Sequence, residues 1–408
     1  MNTGSRGILK QKKEISRNRL LGLAGTGWMF DAMDVGILSF VIAAVALEWN
    51  LTSVEMGWIG SVNSIGMAVG AFGFGLLADR IGRKNVFMIT LVLFSVASGL
   101  SALTMTLTAF LILRFFVGAG LGGELPVAST LVSESVDANE RGRVVVLLES
   151  FWAAGWLIAA LIAYFVIPSF GWRVALIITA LPAFYAIYLR RNLPDSPKYV
   201  EDGKPKQSAG AKIKLLLSKK YAKRTVMLWI VWFMVVFSYY GMFLWLPSVM
   251  VMKGFSMIKS FGYVLLMTLA QLPGYFTAAW LIERAGRKFV LATYLLGTAT
   301  SAIIFGNAET LGLLLVSGAL LSFFNLGAWG ALYAYSPEQY PTSIRATGSG
   351  MAAAVGRVGG IFGPLLVGSL LAAGYGFGLI FGIFCGAIII GVLAVVFLGT
   401  ETKQLELE

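Results

Sequence analysis

The sequence predicts an all-α membrane protein of twelve transmembrane helices in two repeated halves. Three observations predict it: twelve long apolar runs, Lys and Arg gathered into alternate loops, and a charged motif that recurs half a chain later.

Of the 408 residues, 58% are hydrophobic and 13% charged, with a mean hydropathy of +0.80. A water-soluble domain carries about 25% charged residues, so this chain is not built to meet water on all sides. A helix crosses a bilayer with about 20 apolar residues. Runs that fit lie near 20–47, 57–78, 86–106, 108–131, 143–166 and 172–189, then 225–251, 260–282, 289–306, 311–335, 346–372 and 374–398. The first run follows a basic head but is too long for the apolar core of a cleaved signal peptide. The forty-eight glycines suit helices that pack closely in lipid.

Charge sets the orientation. With the head inside, 27 of the 32 Lys and Arg fall in inside segments, 11 of them between runs six and seven. Arg173, Lys253 and Lys259 lie outside, and Arg114 and Arg357 within spans. The positive-inside rule then places both termini in the cytoplasm. It also accounts for the net charge of +12 without a nucleic-acid partner. The expected divisions are a head (1–19), an N-terminal six-helix half (20–189), a linker (190–224), a C-terminal six-helix half (225–398) and a tail (399–408). Part of the linker is expected to be an amphipathic helix on the anionic membrane face.

The halves repeat at an offset of 204 residues. Asp79, Arg80, Gly82, Arg83 and Lys84 after span 2 match Glu283, Arg284, Gly286, Arg287 and Lys288 after span 8. Glu134 and Arg141 match Glu338 and Arg345 at the same offset. Repeated halves with substrate held between them mark secondary transporters. The glycines permit a tight turn, and the acids and bases are expected to bond to neighbouring helices and hold a cytoplasmic gate shut. Topogenic charge alone is the plainer reading.

These motifs resemble the major facilitator superfamily along the whole chain. The span 2–3 signature, Arg141–Arg143, Leu193–Tyr199 and Gly399–Lys403 look like its sugar-porter and organic-ion branches. The resemblance implies two pseudo-symmetric six-helix bundles and a monomer. Gly27–Phe40, Ile59–Ala68, Phe237–Met250 and Ser322–Gly330 are similar to the niacin permeases of bacilli. That likeness implies a small aromatic monocarboxylate, nicotinate, as substrate, with protons as a coupling partner, no cofactor and no enzymatic activity. Another aromatic or organic acid or a sugar-like solute is the alternative substrate. A transporter-derived membrane sensor is the alternative from another class, although such sensors carry longer cytoplasmic extensions than residues 399–408.

Composition narrows the chemistry further. One Cys and no His leave thiolate or imidazole metal sites without ligands, and leave proton transfer to carboxylates. No GxxxxGK[ST] run marks a nucleotide-driven pump.

Charges inside spans are functional candidates by default. Asp34 and Arg114 match positions where proton-coupled sugar porters resemble this chain, and they form the candidate coupling pair. Arg114 keeps Asp34 ionised while they touch, and separation lets Asp34 take a proton. A static ion pair is the other reading. Asp31, on nearly the same helical face, is placed to share the proton or to face the external vestibule. Glu124 reads as structural or gating. Glu149 suits a proton site or a bond to a pyridine nitrogen, or else pairs with Arg114. Arg357, among glycines, is expected to clamp a carboxylate with two parallel bonds, the alternative being an internal acid partner. Tyr239, Tyr240, Trp152, Trp156, Trp329, Tyr333 and Tyr335 are candidates to stack a flat ring or donate to it. Asn63, Gln271 and Asn325 are candidates for polar contacts to substrate, or to neighbouring helices.

Overall fold

The computed structural model describes residues 17–81, 83–134, 141–185, 188, 209–341 and 344–403, and all regular structure among them is helical. The N-terminal half contains α1 (Arg17–Trp49), α2 (Ser53–Ile81), α3 (Arg83–Ser101), α4 (Leu107–Glu134) and α5 (Arg141–Ile178). A short α6 (Ala209–Leu216) follows in the linker. The C-terminal half contains α7 (Ala222–Phe243), α8 (Leu246–Met252), α9 (Met257–Leu269), α10 (Gln271–Ala285) and α11 (Arg287–Gly306). It ends with α12 (Leu311–Glu338), α13 (Arg345–Ala372) and α14 (Phe377–Leu398).

Among the described residues eight helical stretches are long and apolar enough to cross a membrane, and Asn85–Ser101 and Leu107–Gly123 are shorter apolar helices. One stretch, Leu147–Tyr185, is 39 residues, about two spans long. It turns at Gly171, whose φ of 83° is open to glycine at no steric cost, three residues after Pro168. Spans five and six are therefore two helices that meet directly at the Gly171 kink. Spans seven and eight are interrupted instead. Pro247 opens α8 just after α7 ends. Pro273, which has no N–H for the Leu269 carbonyl, follows the break between α9 and α10 at Ala270. The break leaves Gln271 buried at a helix start.

Within the first half α1 packs on α5, and α4 on both α2 and α3. Glycines set the α2–α4 distance: a Cβ at Gly66 would overlap the Phe115 carbonyl oxygen, and one at Gly70 that of Ala119. Within the second half α7 packs on α13 and α14, α11 on α12 and α14, and α10 on α12. The halves meet where α2 crosses α13 and where α5 crosses α9, α10 and α12. These crossings exchange under the repeat, as two pseudo-symmetric bundles require.

An even number of spans puts both chain ends on one side, called here the terminal side; the other is the far side. On the far side the α2–α13 seam closes tightly. Ser61 Oγ donates to the Ile361 carbonyl at 2.6 Å. A Cβ at Gly57 would stand 2.8 Å from the Pro364 carbonyl oxygen, and one at Gly368 would overlap that of Ser53. A far-side cap ties the first half together. Glu48 accepts from Trp172 Nε1 and from Arg173 Nη1, each at 2.7 Å, and Trp49, Phe110 and Trp172 pack edge to face. Phe72, Phe165, Phe184 and Phe397 point outward, as a lipid-facing surface allows.

Candidate functional site

Two buried polar regions stand out, and they are bonded very differently. The first lies inside the N-terminal bundle. Asp34 on α1 pairs with Arg114 on α4 at 3.5 Å, both out of solvent. Ser98 on α3 donates to Asp34 Oδ1 at 2.5 Å and accepts from Arg114 Nη2 at 3.1 Å. Thr179 lies 2.7 Å from Ser98, Arg114 Nη2 also reaches Ser101 Oγ at 3.0 Å, and Phe110 lies under the guanidinium at 5.4 Å. Four helical segments thus converge on one carboxylate–guanidinium pair. Arg114 is engaged by Asp34, so Glu149 is not its partner.

The second region lies between the bundles. Arg357 on α13 is 8% exposed, and its hydrogen bonds all leave from Nη1: to Tyr240 OH at 3.3 Å and to Met67 Sδ at 3.8 Å. Among the described residues it has no ion pair with an acid. Nε and Nη2 of its fork make no bond. Around it stand aromatic rings from both halves. Tyr239 contacts Tyr240, Phe243 and Trp329, and Trp156 meets Tyr239 edge to face. Trp232 and Trp329 both pack on Tyr333. Trp28 meets Trp152 at 6.2 Å and Tyr333 at 6.4 Å. Trp152 Nε1 donates to Tyr239 OH at 2.9 Å, across the bundle boundary.

This second region is short of hydrogen bonds. Both Glu149 oxygens, Trp28 Nε1, Trp156 Nε1, Tyr275 OH, both polar atoms of Gln271, and Oδ1 of Asn63 and Asn325 are buried without a hydrogen-bond partner. The Trp28 indole N–H is directed at Glu149 from just outside hydrogen-bond geometry, Arg357 acts on it electrostatically, and Glu149 in turn acts on Tyr275 and Tyr333. Buried polar groups are nearly always bonded, and a cluster of exceptions lined by aromatic faces marks a candidate ligand site. A flat molecule with an anionic group and a polar ring atom would find rings to pack on, a guanidinium fork and donors or acceptors at its edge.

Asp31 is buried on α1 and acts on Tyr240, so it belongs with the second region as much as with Asp34. Asn63, Tyr239, Tyr240, Trp152, Trp156, Gln271, Asn325, Trp329, Tyr333, Glu149 and Arg357 are all buried or nearly so on helices that line or adjoin the bundle boundary. Tyr335 stands apart: its hydroxyl donates to the Thr400 carbonyl at 2.8 Å, on the terminal side. Sequence reasoning passed over Trp28, Tyr275 and Met67. Signals for two existed: Trp28 is one turn before Asp31, and Tyr275 one turn after Gln271.

The repeated loop motif is visible in its second copy. Arg287 bonds Glu338 at 3.1 Å and Glu283 at 2.9 Å. Glu401 of the tail accepts from the backbone N–H of Arg287 and Lys288 at the start of α11. Lys403 Nζ donates to the Arg284 carbonyl, and Arg345 Nε to that of Tyr340. These bonds stay within the C-terminal half. Gly82, the side chains of Asp79, Arg80, Arg83, Lys84, Glu124, Glu134 and Arg141, and the stretch 193–199 lie outside the described residues. Among the described residues no group of His, Cys, Asp or Glu is arranged to hold a metal ion.

A Bacillus subtilis (strain 168) protein named "Putative niacin/nicotinamide transporter NiaP" is 69% identical over 98% of this chain and 100% of its own length. The "Niacin transporter NiaP" of Acinetobacter baylyi is 48% identical over 95% of each chain. Among solved structures, the xylose transporter XylE from E. coli, in a partially occluded inward-open conformation, superposes with a TM-score of 0.78 at 18% identity, over 96% of this chain and 99% of that one. Residues 25–276 and 260–407 match the Major Facilitator Superfamily, and the chain belongs to that family of membrane transporters.

Proposed function

We propose that this chain imports nicotinate together with a proton, by alternating access, as a monomer in a bacterial cytoplasmic membrane with both termini inside. The observation that carries the reading is Arg357: a buried guanidinium with no acid partner among the described residues, two free fork nitrogens, and aromatic rings on either side. A buried cation of this kind is costly until an anion meets it. The names of the two relatives supply the identity of that anion.

Nicotinate enters between the halves. Its carboxylate takes the Arg357 fork, and its ring packs among Tyr239, Tyr240, Trp329 and Tyr333. Glu149, when protonated, donates to the pyridine nitrogen. Asp34 carries the coupled proton: when rocking parts it from Arg114, a buried carboxylate without its counter-ion takes up a proton. One proton with one nicotinate makes a neutral load. The bundles 20–189 and 225–398 then rock about the α2–α13 and α5–α10 crossings, while the two copies of the loop motif gate the cytoplasmic end.

The test is uptake of labelled nicotinate into proteoliposomes, with and without an inward proton gradient. Gradient-stimulated uptake is expected. Uptake indifferent to the gradient removes the proton from the mechanism, and no uptake by folded protein removes nicotinate.

A further inference from the structure

Met67 is neither charged nor conventionally polar, yet it is where the hydrogen-bond donors of the central site converge. Its sulfur stands 3.8 Å from Arg357 Nη1, 3.6 Å from Tyr240 OH and 3.9 Å from Asn63 Nδ2. Met67 is out of solvent, and so are Asn63 and Tyr240. Two of the donors come from the C-terminal bundle, while Asn63 and the sulfur belong to α2. A thioether is a weak acceptor. Three good donors, one of them cationic, are therefore spent on a partner that satisfies none of them well.

We infer that the Met67 sulfur is a placeholder for the substrate carboxylate, occupying the seat formed by Arg357 Nη1, Tyr240 OH and Asn63 Nδ2 until an anionic oxygen displaces it. This rests on the reading of the site as one for a small aromatic monocarboxylate, and adds to it a seat with three donors and a competing internal group.

The chemistry of the residues fits displacement. Met is unbranched, with three rotatable bonds, and withdraws from a contact at low cost. A carboxylate brings two oxygens and about four lone-pair sites, enough for all three donors at once. It also leaves Arg357 Nη2 free for the second arm of a bidentate pair. Because donors from both bundles close on the same atom, the incoming anion exchanges a weak tie between the halves for a strong one.

A placeholder and a positioning residue predict opposite outcomes. If the sulfur merely holds Arg357 in place, a better acceptor of the same length preserves binding and an apolar side chain harms it. If the sulfur competes with substrate, the signs reverse. Met67→Gln offers an amide oxygen at similar reach, a stronger internal acceptor. Met67→Leu keeps the bulk and removes the acceptor. The experiment measures binding of nicotinate, nicotinamide and benzoate to the purified full chain and to both variants, by titration in detergent.

With the sulfur as placeholder, Met67→Gln raises the nicotinate Kd about tenfold and Met67→Leu lowers it about two- to threefold, from the loss of one weak bond in the empty protein. Nicotinamide, which has no carboxylate, shifts less than nicotinate in both. If Leu weakens nicotinate and Gln does not, or if the two variants act alike, the placeholder is overturned while nicotinate transport stands. If wild-type protein ignores nicotinate but binds benzoate with the Gln and Leu variants split as described, the seat stands and the choice of nicotinate falls. If no monocarboxylate binds, both fall.

Discussion

The Asp34–Arg114 knot and the Arg357–Glu149 region are both buried, both charged and both spread over several helices, but only in the first does a carboxylate face its guanidinium as an ion pair, and even there Arg114 Nε and Nη1 make no hydrogen bond. Around Asp34 the counter-ion, Ser98 and Thr179 leave one carboxylate oxygen bonded and the other facing Arg114 at 3.5 Å. Around Glu149 neither oxygen has a hydrogen bond, and the nearby Trp28, Tyr275 and Gln271 are similarly unfulfilled. The difference separates two uses of a buried charge. A paired charge is held by its counter-ion; a carboxyl without one is held only by the dipoles around it.

Three variants sharpen or break that contrast. Truncating one partner of a buried charge pair costs about 2–5 kcal/mol, so Arg357→Ala should weaken nicotinate binding on the order of 100-fold, read as Kd in detergent. Binding as tight as wild type would move the carboxylate elsewhere. Asp34→Ala strands Arg114 in the first bundle without a counter-ion, and should cost about 3–5 kcal/mol of stability, read as a lower Tm. Glu149→Leu acts on the open region and should behave in the opposite sense. It removes a buried carboxyl without a hydrogen bond, so stability should rise by about 1 kcal/mol, read as a higher Tm, while loss of the donor to the ring nitrogen lowers nicotinate affinity about tenfold. If Glu149→Leu lowers Tm as far as Asp34→Ala does, the two regions are not different in kind.

Much of the fold was legible because lipid imposes a simple rule. Every backbone polar group in a bilayer must be met inside its own helix, so the apolar runs and the helices coincide within a few residues. Irregular backbone was less legible. The 39-residue arm that turns at Gly171 and the break at Ala270 depend on single Pro and Gly positions whose effect is decided by packing. Charged site residues were legible for the same reason as the spans: Asp34, Arg114, Glu149 and Arg357 are conspicuous in apolar runs. Which acid faces which base was not, since pairing depends on how helices turn toward each other. Arg114 shares the spans of its own half with four acids, Asp31, Asp34, Glu124 and Glu149, and only the fold joins it to Asp34. The aromatics were least legible. Tyr333 and Tyr335 are two residues apart, yet one packs in the central ring cluster and the other bonds the tail. Met67 gave no signal at all, because a methionine in an apolar helix looks like any other.

The far-side seam between α2 and α13 has a mechanical consequence. Its contacts are mostly backbone and small groups, with Gly57 and Gly368 against the Pro364 and Ser53 carbonyls, Gly60 against the rigid Pro364 ring, and a hydroxyl bond from Ser61. Interlocked side chains must change rotamer before two surfaces part; bare backbone need not. The seam is therefore a parting line that can zip and unzip without repacking, and its tightness is tuned by the smallest side chains in the protein.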